Sequence, residues 1–127
     1  MEAKVLDAGI VFDKHPVVFE VFYNLEKLII RIELGIPEKE LIVTFERPRG
    51  FRCLDEGDLL NFWGSQEMTD NWFFEITKGG WIDNEDQGGG FISKSMGYRE
   101  FLITGTDMCV SVIDAEPPTF EVINIKT

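Results

Sequence analysis

Histidine occurs once in this chain, at His15, and cysteine twice, at Cys53 and Cys109. A Ser-His-Asp or Cys-His arrangement would have to be assembled around that one imidazole. It stands beside Pro16 at a predicted turn, with no activated serine or cysteine near it in the sequence. Two thiols so far apart make neither a disulfide framework nor a zinc site, and they are expected to be reduced and buried as small hydrophobes. No apolar run approaches the roughly 20 residues that span a bilayer. Met1–Asp7 has neither the basic nor the apolar region of a signal peptide. The expectation is therefore a soluble, cytoplasmic chain that is not an enzyme and holds no cofactor and no metal. Bases are also scarce: 12 Lys and Arg stand against 23 Asp and Glu, a formal charge of −11. Such a field repels nucleic acid and anionic lipid, so neither is expected as a partner, and it draws in basic proteins.

What the chain does have is apolar and aromatic content, 44% and 13% of its 127 residues. That suffices for one domain, residues 1–127, with its own core. Most of the apolar residues recur with a period of two, which is the strand period. Val17, Phe19, Val21 and Tyr23 alternate with their neighbours, Asn24-Leu25-Glu26 can turn the chain, and Leu28, Ile30, Ile32 and Leu34 then line one face of a partner strand. Leu41, Val43 and Phe45 repeat the pattern after Gly35-Ile36-Pro37, as do Trp72, Phe74 and Ile76 before Gly79-Gly80. Arg99–Thr104 and Met108–Ile113 read as a second hairpin, and Thr119–Ile125 as a last strand. Trp81 and Ile82 are expected to begin a return strand, and Asp83–Gly90 to form an exposed acidic loop. The one helix expected lies near 56–63, where Asp55, Glu56 and Asp58 complement its N-terminal amides and dipole. The fold class that follows is mainly β (α+β at the margin): an antiparallel β-sandwich or distorted barrel of eight to nine short strands with that one helix.

The acids are not spread evenly. Residues 53–93 hold nine of them against one base, Lys78, while the rest of the chain is nearly balanced, with fourteen acids and eleven bases. All three tryptophans fall in the same stretch. Trp72 alternates with Phe74 and Ile76 and reads as core. Trp63 and Trp81 are the candidates for interface anchors, since buried aromatics ringed by polar groups are what tight protein interfaces use. The candidate binding residues are thus Asp55, Glu56, Asp58, Trp63, Glu67, Asp70, Trp81, Asp83, Glu85 and Asp86. The bland alternative is a solvated acidic face over core tryptophans. Asp83–Gly88 is not a calcium loop of the EF-hand kind, because the twelfth position holds Lys94 where a carboxylate is needed. Gly88-Gly89-Gly90 lacks the Lys-Ser/Thr and helix of a phosphate cradle. Carboxylate pairs for glycoside hydrolysis are available in excess and therefore point nowhere in particular.

Three segments resemble, taken together, small bacterial immunity proteins of contact-dependent growth inhibition and related polymorphic toxin systems. They are Gly50–Leu59 (GFRCLDEGDL), Trp72–Trp81 (WFFEITKGGW), and Glu100–Val112 (EFLITGTDMCVSV) with Glu116-Pro117-Pro118. The resemblance covers roughly residues 50–123 and not the first 48. It implies a cytoplasmic toxin inhibitor that binds a cognate toxin domain, often a basic nuclease, and covers its active site or substrate groove. It carries over no functional residue. A carbohydrate- or small-ligand-binding β module, and a structural subunit of a larger assembly, are the alternatives from other classes.

Overall fold

A computed structural model describes residues 1–10, 12, 15–59 and 70–125. Among the described residues nine strands follow one another: β1 (Glu2–Val5), β2 (Val17–Tyr23), β3 (Lys27–Glu33), β4 (Lys39–Glu46), β5 (Gly50–Asp55), β6 (Phe73–Lys78), β7 (Arg99–Thr104), β8 (Met108–Asp114) and β9 (Thr119–Asn124). They form two antiparallel sheets, a five-stranded one in the order β1-β6-β7-β8-β5 and a four-stranded one in the order β2-β3-β4-β9. Neither sheet closes on itself, so of the two expected architectures the molecule adopts the sandwich.

The period of two explains the packing. Leu28, Ile30 and Ile32 of β3 and Leu41, Val43 and Phe45 of β4 are fully buried, and Ile29, Arg31, Ile42 and Thr44 lie on the opposite face. Opposite them, Phe73, Phe101, Ile103, Val110 and Val112 complete the core between the sheets. Ring contacts fix how the layers sit: Phe45 meets Phe101 at 5.8 Å, Phe120 meets Phe73 at 5.2 Å, and Tyr23 meets Phe51 at 5.1 Å. Thus β4 lies over β7, β9 over β6, and the edge strand β2 over the edge strand β5. Trp72 touches Phe12, Phe73 and Phe120 at the margin of this core, and so is core as expected but on the side of Phe73, whereas Phe74 and Ile76, with which it alternates in the sequence, face the other way. Each fully buried aliphatic or aromatic side chain contributes about 1.5–3 kcal/mol.

The five-stranded sheet is also covered on its outer face. Phe74, Ile76, Leu102 and Cys109 form a second cluster there with Leu59, flanked by Ala3, Val5 and Leu54. Burial on both faces is why β7 and β8 read as nearly continuous apolar runs.

Two local expectations are corrected. In the segment near 56–63, Glu56–Leu59 forms a short 3-10 turn rather than the start of an α-helix, while residues 60–63 lie outside the described residues. Trp81 and Ile82 do not begin a strand, and the acids after them are not in a loop: Trp81–Gln87 is an α-helix, α1. Its N-cap, Gly80, has no side chain to bind the first free amides. They are bound instead by Glu100 of β7, whose carboxylate accepts from the Ile82 amide at 2.9 Å and the Trp81 amide at 3.2 Å. A helix cap supplied from across the sheet is invisible to local sequence rules.

Candidate functional site

The acidic middle stretch is divided by the fold between two ends of the five-stranded sheet. Asp55, Glu56 and Asp58 are exposed where β5 gives way to the 3-10 turn. The Asp55 carboxylate accepts from the Gly57 amide at 2.8 Å, and the Glu56 amide donates to the carbonyl of Asp107 in the β7–β8 turn at 3.0 Å. Asp70 is exposed just before Trp72, whose carbonyl accepts from the amide of Thr104, so it belongs to this end as well. His15 lies nearby: burial lowers its pKa, and the charge of Glu56 partly offsets that.

Trp81, Asp83, Glu85 and Asp86 are at the other end, on α1. Gly50, at the start of β5, faces the Trp81 ring. Asp55 closes the same strand, so the two groups stand roughly 17 Å apart at a rise of about 3.3 Å per residue. Trp63 and Glu67 lie outside the described residues. The linear cluster therefore becomes two smaller acidic surfaces.

The fold also returns bases that the sequence places outside the stretch. Lys94 pairs with Asp83 at 2.9 Å, and Asp83 accepts from the Gly79 amide at 2.6 Å. That amide first, and Lys94 second, hold the Asp83 carboxyl below its ordinary range. Arg99 grips Glu75 with two bonds of 2.7 and 3.0 Å and draws that carboxyl down too. Arg52 lays its guanidinium over the Trp81 ring at 4.8 Å. Glu85 and Asp86 remain exposed on α1, so this surface presents two solvent-facing carboxylates beside a tryptophan that is half-buried and already stacked.

Glu100 of β7 is the carboxylate that α1 covers. It is 4% exposed beneath the helix, and burial raises its pKa while the amides of Ile82 and Trp81 and the charge of Arg52 pull it back. Its role is to hold α1 in place. Arg49 performs a similar service for the chain after α1, donating to the buried Ser93 hydroxyl at 3.0 Å and stacking on Tyr98 at 4.9 Å.

Two grooves flank α1. One, of about 230 Å³, is lined by Glu75, Ile82, Asp83, Lys94, Tyr98 and Arg99, whose charges are largely satisfied by each other. The other, of about 420 Å³, runs past Arg49, Gly50, Trp81, Phe91, Ile92 and Ser93. Among the described residues, no group of three or more His, Cys, Asp or Glu could hold a metal ion, and no helix is long and apolar enough to cross a membrane. Cys53 and Cys109 are both free; Cys109 is buried as expected, whereas Cys53, on the edge strand β5, is exposed. They cannot bridge on these strands, because Cys109 is paired with Leu54 and Cys53 with Val110, which sends the two thiols to opposite faces.

The first half of the chain holds what sequence reasoning missed. Glu40 is 2% exposed and is held by Arg31 through bonds of 2.9 to 3.1 Å. Arg31 also reaches Glu20 at 3.2 Å and lies over the Phe19 ring at 4.9 Å. The signal available was the alternation itself, which puts Arg31, Glu33, Glu40 and Ile42 on the face turned away from the core. Compared with family models, curated proteins and solved structures, the chain matches none.

Proposed function

We propose that this chain is a protein-binding domain that captures and neutralises a basic partner, and specifically an immunity protein that covers the active site or substrate groove of a cognate, nuclease-like toxin domain in the cytoplasm. The observation that carries the reading is the excess of exposed carboxylates at both ends of the five-stranded sheet, on a chain of net charge −11. Carboxylates presented this way occupy positions that a nuclease evolved for phosphate, and long-range attraction raises the association rate. The work asked of the chain is binding, not turnover.

The test is co-expression with a basic toxin domain, sought first in the gene next to this one. Protection of the cell and a simple complex of nanomolar affinity or tighter, about −12 kcal/mol, are expected. Failure to protect, with the protein folded, would remove the reading. Reversing Asp83, Glu85 and Asp86 together to Lys tests the α1 surface: slower association with a weaker salt dependence is expected if that end meets the toxin.

A second reading draws on the groove beside Trp81, whose aromatic and apolar walls suit a sugar ring or another small ligand. A glycan array would favour it by showing a ligand lost on Trp81→Ala but not on the triple charge reversal.

A further inference from the structure

The outer face of the four-stranded sheet carries a ridge that the core does not use. Phe19 and Phe22 of β2 are 42% and 51% exposed, and Leu25, at the tip of the β2–β3 hairpin, is 78% exposed. Three large apolar side chains thus stand in water within seven residues of one edge strand and its turn, a local concentration of apolar surface. Leu25 is also held at a φ of 75°, a left-handed conformation that a leucine adopts at a cost and a glycine would not. The turn itself does not demand leucine. It is built by the Asn24 carboxamide, which accepts from the amides of Glu26 and Lys27 at 3.1 and 2.8 Å. The fold thus bears both an exposure cost and a backbone cost at one position, for no gain in its own packing.

The ridge is braced from beneath and ringed by negative charge. Arg31, clamped by Glu40 and Glu20, stacks on Phe19 and limits its freedom. Across this face and its hairpin tip, five exposed carboxylates (Glu20, Glu26, Glu33, Glu46, Glu121) stand against Lys27, Arg31 and Arg47, and the buried Glu40 already offsets Arg31. Lys27 is already paired with Glu46 at 3.8 Å. An apolar centre, with Phe19 braced by Arg31, inside a polar, net-acidic rim is the anatomy of a protein-docking surface.

We infer that Phe19, Phe22 and Leu25 form the docking ridge for a basic protein segment that sets aliphatic or aromatic side chains between its Lys and Arg residues. The inference rests on the reading of the chain as a binder of basic proteins, and moves the anchor residues from the middle stretch to the first hairpin. The negative rim selects against a second copy of this chain and against an anionic membrane, and matches a cationic protein surface.

The test pans a library of random linear peptides, displayed on phage, against the protein at physiological ionic strength. An enriched peptide is then titrated into isotope-labelled protein. Enriched sequences should combine Lys or Arg with aliphatic or aromatic residues, and amide shifts should concentrate in β2, β3 and their turn. Phe22→Ser and Leu25→Gly should each weaken the peptide about tenfold or more. Leu25→Gly should do so while leaving the thermal midpoint unchanged or raised, which a merely structural residue would not do. Shifts confined to α1, with affinity lost only on reversal of Asp83, Glu85 and Asp86, would overturn the ridge and keep the basic-partner reading. Enrichment of neutral or acidic sequences, or of none, would remove that reading itself. A dimer in sedimentation that Phe22→Ser dissolves would make a second copy the occupant and overturn the inference.

Discussion

Replacing Glu100 with Ala should release α1, and with it Trp81, Asp83, Glu85 and Asp86. The carboxylate binds the first two amides of the helix, at 3.2 and 2.9 Å, under the buried Ile82 side chain. Hydrogen bonds to a charged acceptor are each worth about 1.5–3 kcal/mol, and loss of an ordinary N-cap costs about 0.5–2 kcal/mol. Against this stands the relief of removing a carboxylate that is unfavourably desolvated. A net loss of about 2 kcal/mol follows, or roughly 7 °C in the midpoint for a chain of this length. Glu100→Gln keeps a carbonyl for the Ile82 amide but turns an NH2 group toward the Trp81 amide, so about half that loss is expected. The pH profile separates the two contributions. Burial raises the Glu100 pKa above its unfolded value, so the folded state holds its proton longer. Stability from this group is greatest below the ordinary glutamate range and falls as pH rises through the elevated folded pKa. Glu100→Gln should flatten that segment of the curve. Urea unfolding followed by tryptophan fluorescence, with amide exchange at residues 81–87, makes the measurement. Wild-type midpoint and protected amides in Glu100→Ala would show that α1 is held by something else.

Gly80→Ala should destabilise by about 1–3 kcal/mol, because an added Cβ would lie 2.5 Å from Ile76 Cγ2 and 2.8 Å from both Glu100 oxygens; an unchanged urea midpoint would refute the packing. Phe101→Ala, which empties the contact with Phe45 and Phe73 at the centre of the sandwich, should cost about 3–5 kcal/mol by the same assay. Arg31→Met should lower the midpoint more than the double change Arg31→Met/Glu40→Met, since the single variant strands a buried carboxylate; the reverse order would sink that account. A thiol reagent should modify Cys53 in the folded protein and Cys109 only on unfolding, because Cys109 is buried and its pKa is pushed up to about 11; equal rates would contradict the placement.

The strands were legible because a strand's period is local: Leu28, Ile30 and Ile32 declare a face without reference to anything distant, and so do Leu41, Val43 and Phe45. The acidic excess and the number of strands were legible for the same reason, being properties of composition and of short runs. Which architecture the strands make was not, since sandwich and barrel use the same alternation and differ only in whether the edges β1, β5, β2 and β9 meet. Trp81–Gln87 was misread because its cap is Glu100, nineteen residues on, and an apolar Trp-Ile pair after two glycines looks extended when that carboxylate is out of view. The charge map changed most. Residues 53–93 are acidic as a string, but Lys94, Arg99 and Arg52 from its borders come back to Asp83, Glu75 and Trp81, while Glu20, Glu40 and Arg31 from the other half gather on one face. Periodicity and the sign of the charge follow from neighbours along the chain and are readable there. Which charges are cancelled, which acid caps the helix, and where Phe19, Phe22 and Leu25 stand exposed depend on the folded arrangement, because ion pairs, caps and surfaces join residues that are far apart in the chain and close in space.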